Sequence, residues 1–331
     1  TKIVGDSLFI KTPLAKKLMV WKGTPSYKGE YKEFKPVKDT VVRIRDLFGY
    51  YEGRIVVQLI DNKHLFDENI LDFKAGIPWL VSRLTRTVRA TGIAPDMVLV
   101  PGSDFSYEVS ASDEFITYPG VSNISLRVDS FLIDKYPVTN AQYYEFLQSS
   151  GYMPADTTRY LRHWERGIYR QGQERYPVVY ISYEDAKAYA KWAAKRLPGQ
   201  AEWQLAAQGT DKRKWPWGNE FHGTLCNNAF EKPTPVDAFP KGASPYGALD
   251  MVGNVWQMTN DMYFNGSNYF IMIRGGSFYR PDSSWWYVQG GPQPLDKTQM
   301  LLLVSPGFDR NATVGFRCVR DIESTAFRGK K

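Results

Sequence analysis

The sequence predicts an α+β fold with much irregular structure, preceded by a small all-β module. Three observations carry this expectation. Thr40–Arg45 (TVVRIR) and Arg54–Ile60 (RIVVQLI) are β-branched and alternate, as half-buried strands do. Ser182–Lys195 (SYEDAKAYAKWAAK) reads as a helix with its own cap. Aromatic residues make up 15% of the 331 residues, ten of them Trp, beside 27 Gly and 20 Pro, which suits loops pinned by aromatic anchors.

Taken in order, residues 1–75 read as a small β-sandwich-like module. Leu8–Ile10 and Leu18–Trp21 are further strand candidates. Gly49–Gly53 (GYYEG) reads as a turn that makes a hairpin of Thr40–Arg45 and Arg54–Ile60. Residues 76–94 read as a helical connector. Leu80, Val81, Leu84 and Val88 fall at helical spacing, with Pro78 near the start and Gly92 beyond the end. The main domain spans 95–323, followed by a short tail, 324–331. In it Met97–Val100 and Val128–Ile133 read as buried strands. Thr139 or Asn140 caps a helix starting near Ala141. Ser182 caps the next helix, with Asp185 closing a reciprocal box. Pro198 stops that helix, and Ala201–Gln208 is a second, ended by Gly209. Val314, Phe316 and Cys318 alternate as a buried strand face, and Arg317 reads as a structural arginine paired inside the domain.

The formal net charge is +7, with Lys dominating the first forty-odd residues. That is a solvated basic surface or, more sharply, one facing a polyanion such as a sulfated glycan. No nucleic-acid motif accompanies the charge, and no apolar run has membrane-spanning length. Two cysteines, Cys226 and Cys318, make neither a disulfide framework nor a C-x-x-C metal site; both are expected to be free, buried thiols. The chain begins at Thr1, which leaves a processed N-terminus open. An extracytoplasmic setting (periplasm, cell surface or secreted) is the expectation.

The stretch with the most constrained chemistry is Gly247–Asp261, GALDMVGNVWQMTND. Its glycines permit backbone conformations that other residues resist, Asp250, Asn254 and Asn260 favour turns, and Trp256 needs a pocket. It reads as a compact core loop leading into a short strand. This stretch resembles a signature of the formylglycine-generating enzyme, or sulfatase-modifying factor, family. Met97–Phe105 (MVLVPGSDF), Pro137–Tyr143 (PVTNAQY), Pro177–Gly209, Trp215–Glu220 (WPWGNE), Arg274–Phe278 (RGGSF) and Gly315–Cys318 (GFRC) follow the same family in its order. The resemblance covers roughly residues 95–321 and implies a C-type-lectin-like domain. It does not alone imply the family's chemistry.

The family enzyme oxidises a substrate cysteine with two cysteines that bind copper(I), a metal suited to soft thiolates. By spacing those positions are Arg280 and Trp285 here, so neither copper nor formylglycine generation is expected. Cys318 matches a position that pairs with a cysteine in some members; the partner position here is Ala190. Calcium, a hard cation taking oxygen ligands, is the cofactor the resemblance still allows, at Asp250, Gly253, Val255 and Gln257. The other reading of Asp250 and Gln257 is that they hydrogen-bond the loop. Some relatives use iron with His and carboxylate ligands. His64 and His222 read as surface residues and His163 as a loop residue beside Glu165.

Three functions follow. The first is a non-catalytic family member that binds a glycan or peptide in the family groove, relined by Ser277, Arg280, Trp285, Trp286 and Tyr287 with His163 and Trp164. The second is an iron-dependent oxidase or oxygenase acting at a different site. The third is a structural subunit of an envelope or surface assembly, with a protein partner.

Overall fold

The computed structural model describes the chain except residues 12–16, 36, 38, 50, 52, 62–63, 74–77, 112–123, 229–230, 266–267, 281–289 and 324–331. It divides into two compact units, one centred on Thr1–Trp79 and the other on the residues from Leu80 onward.

The first unit comprises β1 (Lys2–Val4), β2 (Ser7–Lys11), β3 (Lys17–Lys22), β4 (Tyr31–Phe34), β5 (Asp39–Arg43), the helical turn α1 (Ile44–Phe48), β6 (Gly53–Asp61) and β7 (His64–Phe73). They form two antiparallel sheets, β1–β2–β5 and β4–β3–β6–β7. Alternation puts Leu8 and Ile10 of one sheet in the same core as Leu18, Val20, Ile55, Val57 and Leu59 of the other. The expected hairpin of Thr40–Arg45 with Arg54–Ile60 does not form. Ile44 and Phe48, four residues apart in α1, turn into the core. β5 therefore pairs with β2, while β6 pairs with β3 and β7. His64 opens β7 opposite Asp61 and is exposed, as a surface residue is expected to be.

The second unit is loop-rich. Its elements are β8 (Trp79–Leu80) at the boundary, β9 (Met97–Val100), β10 (Ser103–Tyr107), β11 (Ser110–Ala111), β12 (Ile124–Val128), β13 (Phe131–Asp134), α2 (Asn140–Ser150), α3 (Tyr183–Trp192), α4 (Gln200–Gln208), β14 (Trp256–Phe264), β15 (Tyr269–Arg274), β16 (Lys297–Leu303), β17 (Val314–Phe316) and β18 (Val319–Asp321). The main sheet runs β11–β16–β15–β14–β17, and β18–β13–β9 and β10–β12 stand apart from it. Val128–Ile133 is thus not one strand: Asp129 and Ser130 separate β12 from β13.

The helices start where the caps predict. Thr139 and Gln142 close a capping box on α2, and Ser182 and Asp185 close one on α3. The aromatic residues of α2 and α3 pack on the sheet: Tyr143 stacks on Tyr189 at 5.8 Å, and both meet Phe316 edge-on. α4 sends Trp203, Leu205 and Ala206 into a second core with Phe105, Phe131 and Val252.

The helical connector is corrected. From Val81 to Arg89 the chain carries no helix or strand. Its backbone donors find tertiary acceptors: Val81 N–H reaches Met262 O at 2.8 Å and Ala90 N–H reaches Asp321 O at 2.8 Å, while Thr87 N–H reaches the Asp321 carboxylate. The run Val81, Thr85, Thr87, Val88, Thr91 is β-branched and disfavours a helix. Tertiary pairing therefore overrides the apolar spacing.

Asp321 anchors this segment. Arg196 holds Glu202 through both terminal nitrogens at 2.7 Å and reaches Asp321 at 2.8 Å, with all three side chains largely buried. Burial alone would raise the Asp321 carboxyl, but hydrogen bonds from Arg196, Thr87 and Arg86 outweigh it and hold it at about 2. That is below the unfolded value of about 3.9. The contribution is therefore full above about pH 4 and is lost as pH falls towards 2. Asp321→Asn is expected to cost about 3–5 kcal/mol at neutral pH, because Arg196 keeps a buried charge with less compensation. It should also flatten the fall in stability between about pH 4 and 2. Urea unfolding across that pH range checks both, and an unchanged slope would count against the assignment.

Candidate functional site

The loop ahead of β14 sets the site's frame. Asp250 and Asn254 adopt left-handed backbone, φ 52° and 57°, which short polar side chains tolerate. Gly253 has φ 76°, and a Cβ there would lie 2.6 Å from Asn227 O. The Asn254 side chain is saturated. Its oxygen accepts from Thr234 N–H and Asn227 Nδ2, and its nitrogen donates to Thr234 O and to Asp250 Oδ2. The loop then holds the RGGSF segment, since Gly253 N–H donates to Gly275 O and Phe278 N–H donates to Asn254 O, both at 2.9 Å.

Gln257 and Arg317 close this frame from beneath. Gln257 Oε1 accepts from Trp203 Nε1 at 2.8 Å and from Arg317 Nε at 2.7 Å, and its Nε2 donates to Asp250 O at 2.7 Å. The remaining Arg317 nitrogens donate to Asp134 O, Leu249 O and Asp250 O. Arg317 is fully buried, as is expected of a structural arginine. Burial pushes its guanidinium down to about 10, so it stays charged at neutral pH. Burial pushes the Asp250 carboxyl up to about 7.

These contacts bear on the calcium positions. Both lone pairs of Gln257 Oε1 are engaged, and one Asp250 oxygen is taken by Asn254. Calcium takes six to eight oxygens; with the Gln257 amide oxygen engaged twice, a site here would draw on the Asp250 carboxylate and on backbone oxygens at Gly253 and Val255. Among the described residues no three His, Cys, Asp or Glu side chains gather as a metal site. Thermal unfolding midpoints in excess calcium and in chelator are expected to coincide, because Gln257 is committed to Trp203 and Arg317; a higher midpoint with calcium would assign the ion to this loop. Arg317→Met is expected to destabilise the second unit by about 3–5 kcal/mol, since it strips a buried cation from several carbonyls, and chemical denaturation reads the loss.

Above the frame lies a groove of about 490 Å³ lined by Trp215, Phe221, Arg280, Gly290, Pro292, Gln293 and Pro294. Trp215 stacks on Trp217 at 6.0 Å and meets Phe221 at 4.8 Å, which builds an aromatic shelf. A reciprocal pair of backbone hydrogen bonds between Trp215 and Gly218 holds the shelf's turn. Arg280 is exposed and lies across Gly291, where a Cβ would come within 2.5 Å of its Nε. Ser277 is buried beneath; its N–H donates to Gly291 O and its hydroxyl accepts from Tyr279 N–H. Both thiols are free and buried. Burial pushes Cys226 up to about 12 despite the neighbouring Arg280 charge, and burial also raises Cys318.

The residues singled out from sequence do not all meet. Arg280 lines this groove, Ser277 is buried and does not line it, and Trp285, Trp286 and Tyr287 lie outside the described residues. Trp164 is core: its Nε1 donates to Asn140 Oδ1 at 3.2 Å, and it packs against Tyr143. His163 stacks on Tyr180 beside Asn140, and burial, helped by Arg170, lowers its pKa to about 4. These two serve the α2 side of the domain. Trp215 and Phe221 were missed as site residues; the density of aromatics in WPWGNEF was the available signal.

The chain belongs to the sulfatase-modifying factor family: the family model described as sulfatase-modifying factor enzyme 1-like domain matches residues 83–322. It lacks the cysteine pair of the formylglycine-generating members, since its two cysteines stand at 226 and 318. The uncharacterized protein YfmG of Bacillus subtilis is 26% identical over 84% of this chain and 64% of its own length. Inactive C-alpha-formylglycine-generating enzyme 2 of Bos taurus is 30% identical over 56% of this chain and 77% of its own. Hercynine oxygenase of Mycolicibacterium smegmatis is 31% identical over 61% and 54%. Among solved structures, PvdO from Pseudomonas aeruginosa aligns over 68% of this chain and 94% of its own, with TM-score 0.49 and 22% identity.

Proposed function

We propose that the chain is a non-catalytic family member that binds a glycan or peptide segment in the groove between the Trp215–Phe221 shelf and Arg280. The observation that carries this reading is the composition of that groove. An aromatic face offers stacking area to a sugar ring or an apolar side chain. The Arg280 guanidinium, where the resemblance puts a catalytic cysteine, offers a fork of donors for hydroxyl or carboxylate oxygens. The volume suits a small ligand segment. The similarity to an inactive formylglycine-generating enzyme supports the same reading.

The rival oxidase reading needs a ligand set, and the histidines do not supply one. His64 lies in the first unit, His222 is exposed ahead of a 3-10 turn, and His163 faces Asn140 and Tyr180.

Binding of the purified chain to glycan and peptide arrays tests the proposal. Phe221→Ala and Arg280→Ala are each expected to weaken the captured ligand by about tenfold or more, the cost of one lost aromatic or charge-assisted contact. Equal binding by wild type and both variants would refute the groove, and stoichiometric iron after dialysis would favour the oxidase.

A further inference from the structure

On another face of the second unit, a recessed pocket of about 230 Å³ is lined by Arg86, Arg89, Arg127, Asp129, Ser130, Gly102, Asp321 and Ile322. Three arginines line it, contributed by two separate segments. Arg86 and Arg89 come from the irregular segment after β8, and Arg127 comes from β12. We propose that this pocket binds a tetrahedral oxyanion, the terminal group of a sulfate or phosphate ester.

The pairing of each group supports this. Arg86 is anchored from behind: its Nη1 donates to buried Asp321 at 3.1 Å. Asp321 has no acceptor capacity to spare, because it also takes Arg196, Thr87 N–H and Thr87 Oγ1. On the open side Arg86 meets only Asp129, at 3.2 Å, and both side chains are well exposed. Arg127 meets Asp104 in the same manner, also at 3.2 Å and exposed. Arg89 makes no ion pair or hydrogen bond with the described residues. Ser130 Oγ accepts the Gly102 N–H at 2.9 Å, which leaves its own O–H to donate.

Exposed ion pairs of this kind contribute little stability. An incoming oxyanion displaces Asp129 and Asp104 cheaply, and it brings more acceptor oxygens to the same forks. Guanidinium groups match such oxyanions bidentately. The anchored Arg86 fixes the position, while Arg89 and Arg127 close over the ligand. Phosphate and sulfate esters share this geometry but differ in charge. A phosphate monoester gains its second charge above about pH 6, whereas a sulfate ester stays singly charged.

Titration calorimetry of the full chain with glucose 6-sulfate and glucose 6-phosphate tests the site, with sodium chloride at matched ionic strength as control. Saturable binding of at least one ester is expected. Arg89→Ala and Arg127→Ala, which break no buried pair, should each weaken it about tenfold. Arg280→Ala should leave it unchanged, which separates this pocket from the aromatic groove. Tighter binding of the phosphate ester above about pH 6 assigns the physiological group to phosphate; pH-independent binding of the sulfate ester assigns it to sulfate. No heat beyond that of chloride, or variants that bind like wild type, overturns the proposal.

Discussion

The fold of the second unit depends on one buried cation. Arg317 sits between β17 and β18 and spends its guanidinium on three carbonyls and the Gln257 amide. Those acceptors come from β13, from the Gly247–Asp261 loop and from β14, segments distant in sequence. A buried charge costs much unless it is fully hydrogen-bonded, so the loop can take essentially one course. Gln257 completes the arrangement by passing the connection to Trp203 on α4. The left-handed residues at 250, 253 and 254 follow from that course, and so does the support of Gly275 and Phe278.

Two other buried ion networks act in the same manner at the margins. Asp185 closes the cap of α3 and also receives a forked contact from Arg310, which ties the helix to the loop before β17. Arg196, Glu202 and Asp321 tie the start of α4 to β18 and to the irregular segment that carries Arg86. In each, one side chain serves local secondary structure and long-range pairing together. Regular elements are few between α2 and β14, and such pairings replace the backbone ladders that a more regular domain would use.

The same scaffold logic explains the groove. The segment after RGGS presents Arg280 over Gly291, facing an aromatic shelf. Cys226 lies near enough to feel Arg280, yet burial keeps its thiol protonated at neutral pH, so it is no substitute for a reactive pair.

Local grammar was readable along the chain. The caps at Thr139 and Ser182, the stop at Gly209, the core loop before Trp256 and the structural role of Arg317 all rest on side chains acting within a few residues or on residue types that need partners when buried. The lack of a cysteine pair was equally readable, because the sequence places its two cysteines far apart, at 226 and 318. Three-dimensional packing alone decided the rest. The segment 81–89 spaces its apolar residues like a helix, but Met262 and Asp321 offer its backbone donors better partners. β5 and β6 resemble a hairpin, but α1 sends them into different sheets. Trp164 resembles a groove residue, but Asn140 and Tyr143 hold it in the core. A hydrogen-bond partner or a packing neighbour far along the chain leaves no mark on local spacing, so aromatic shelf, arginine pocket and connector became visible only once the chain was folded.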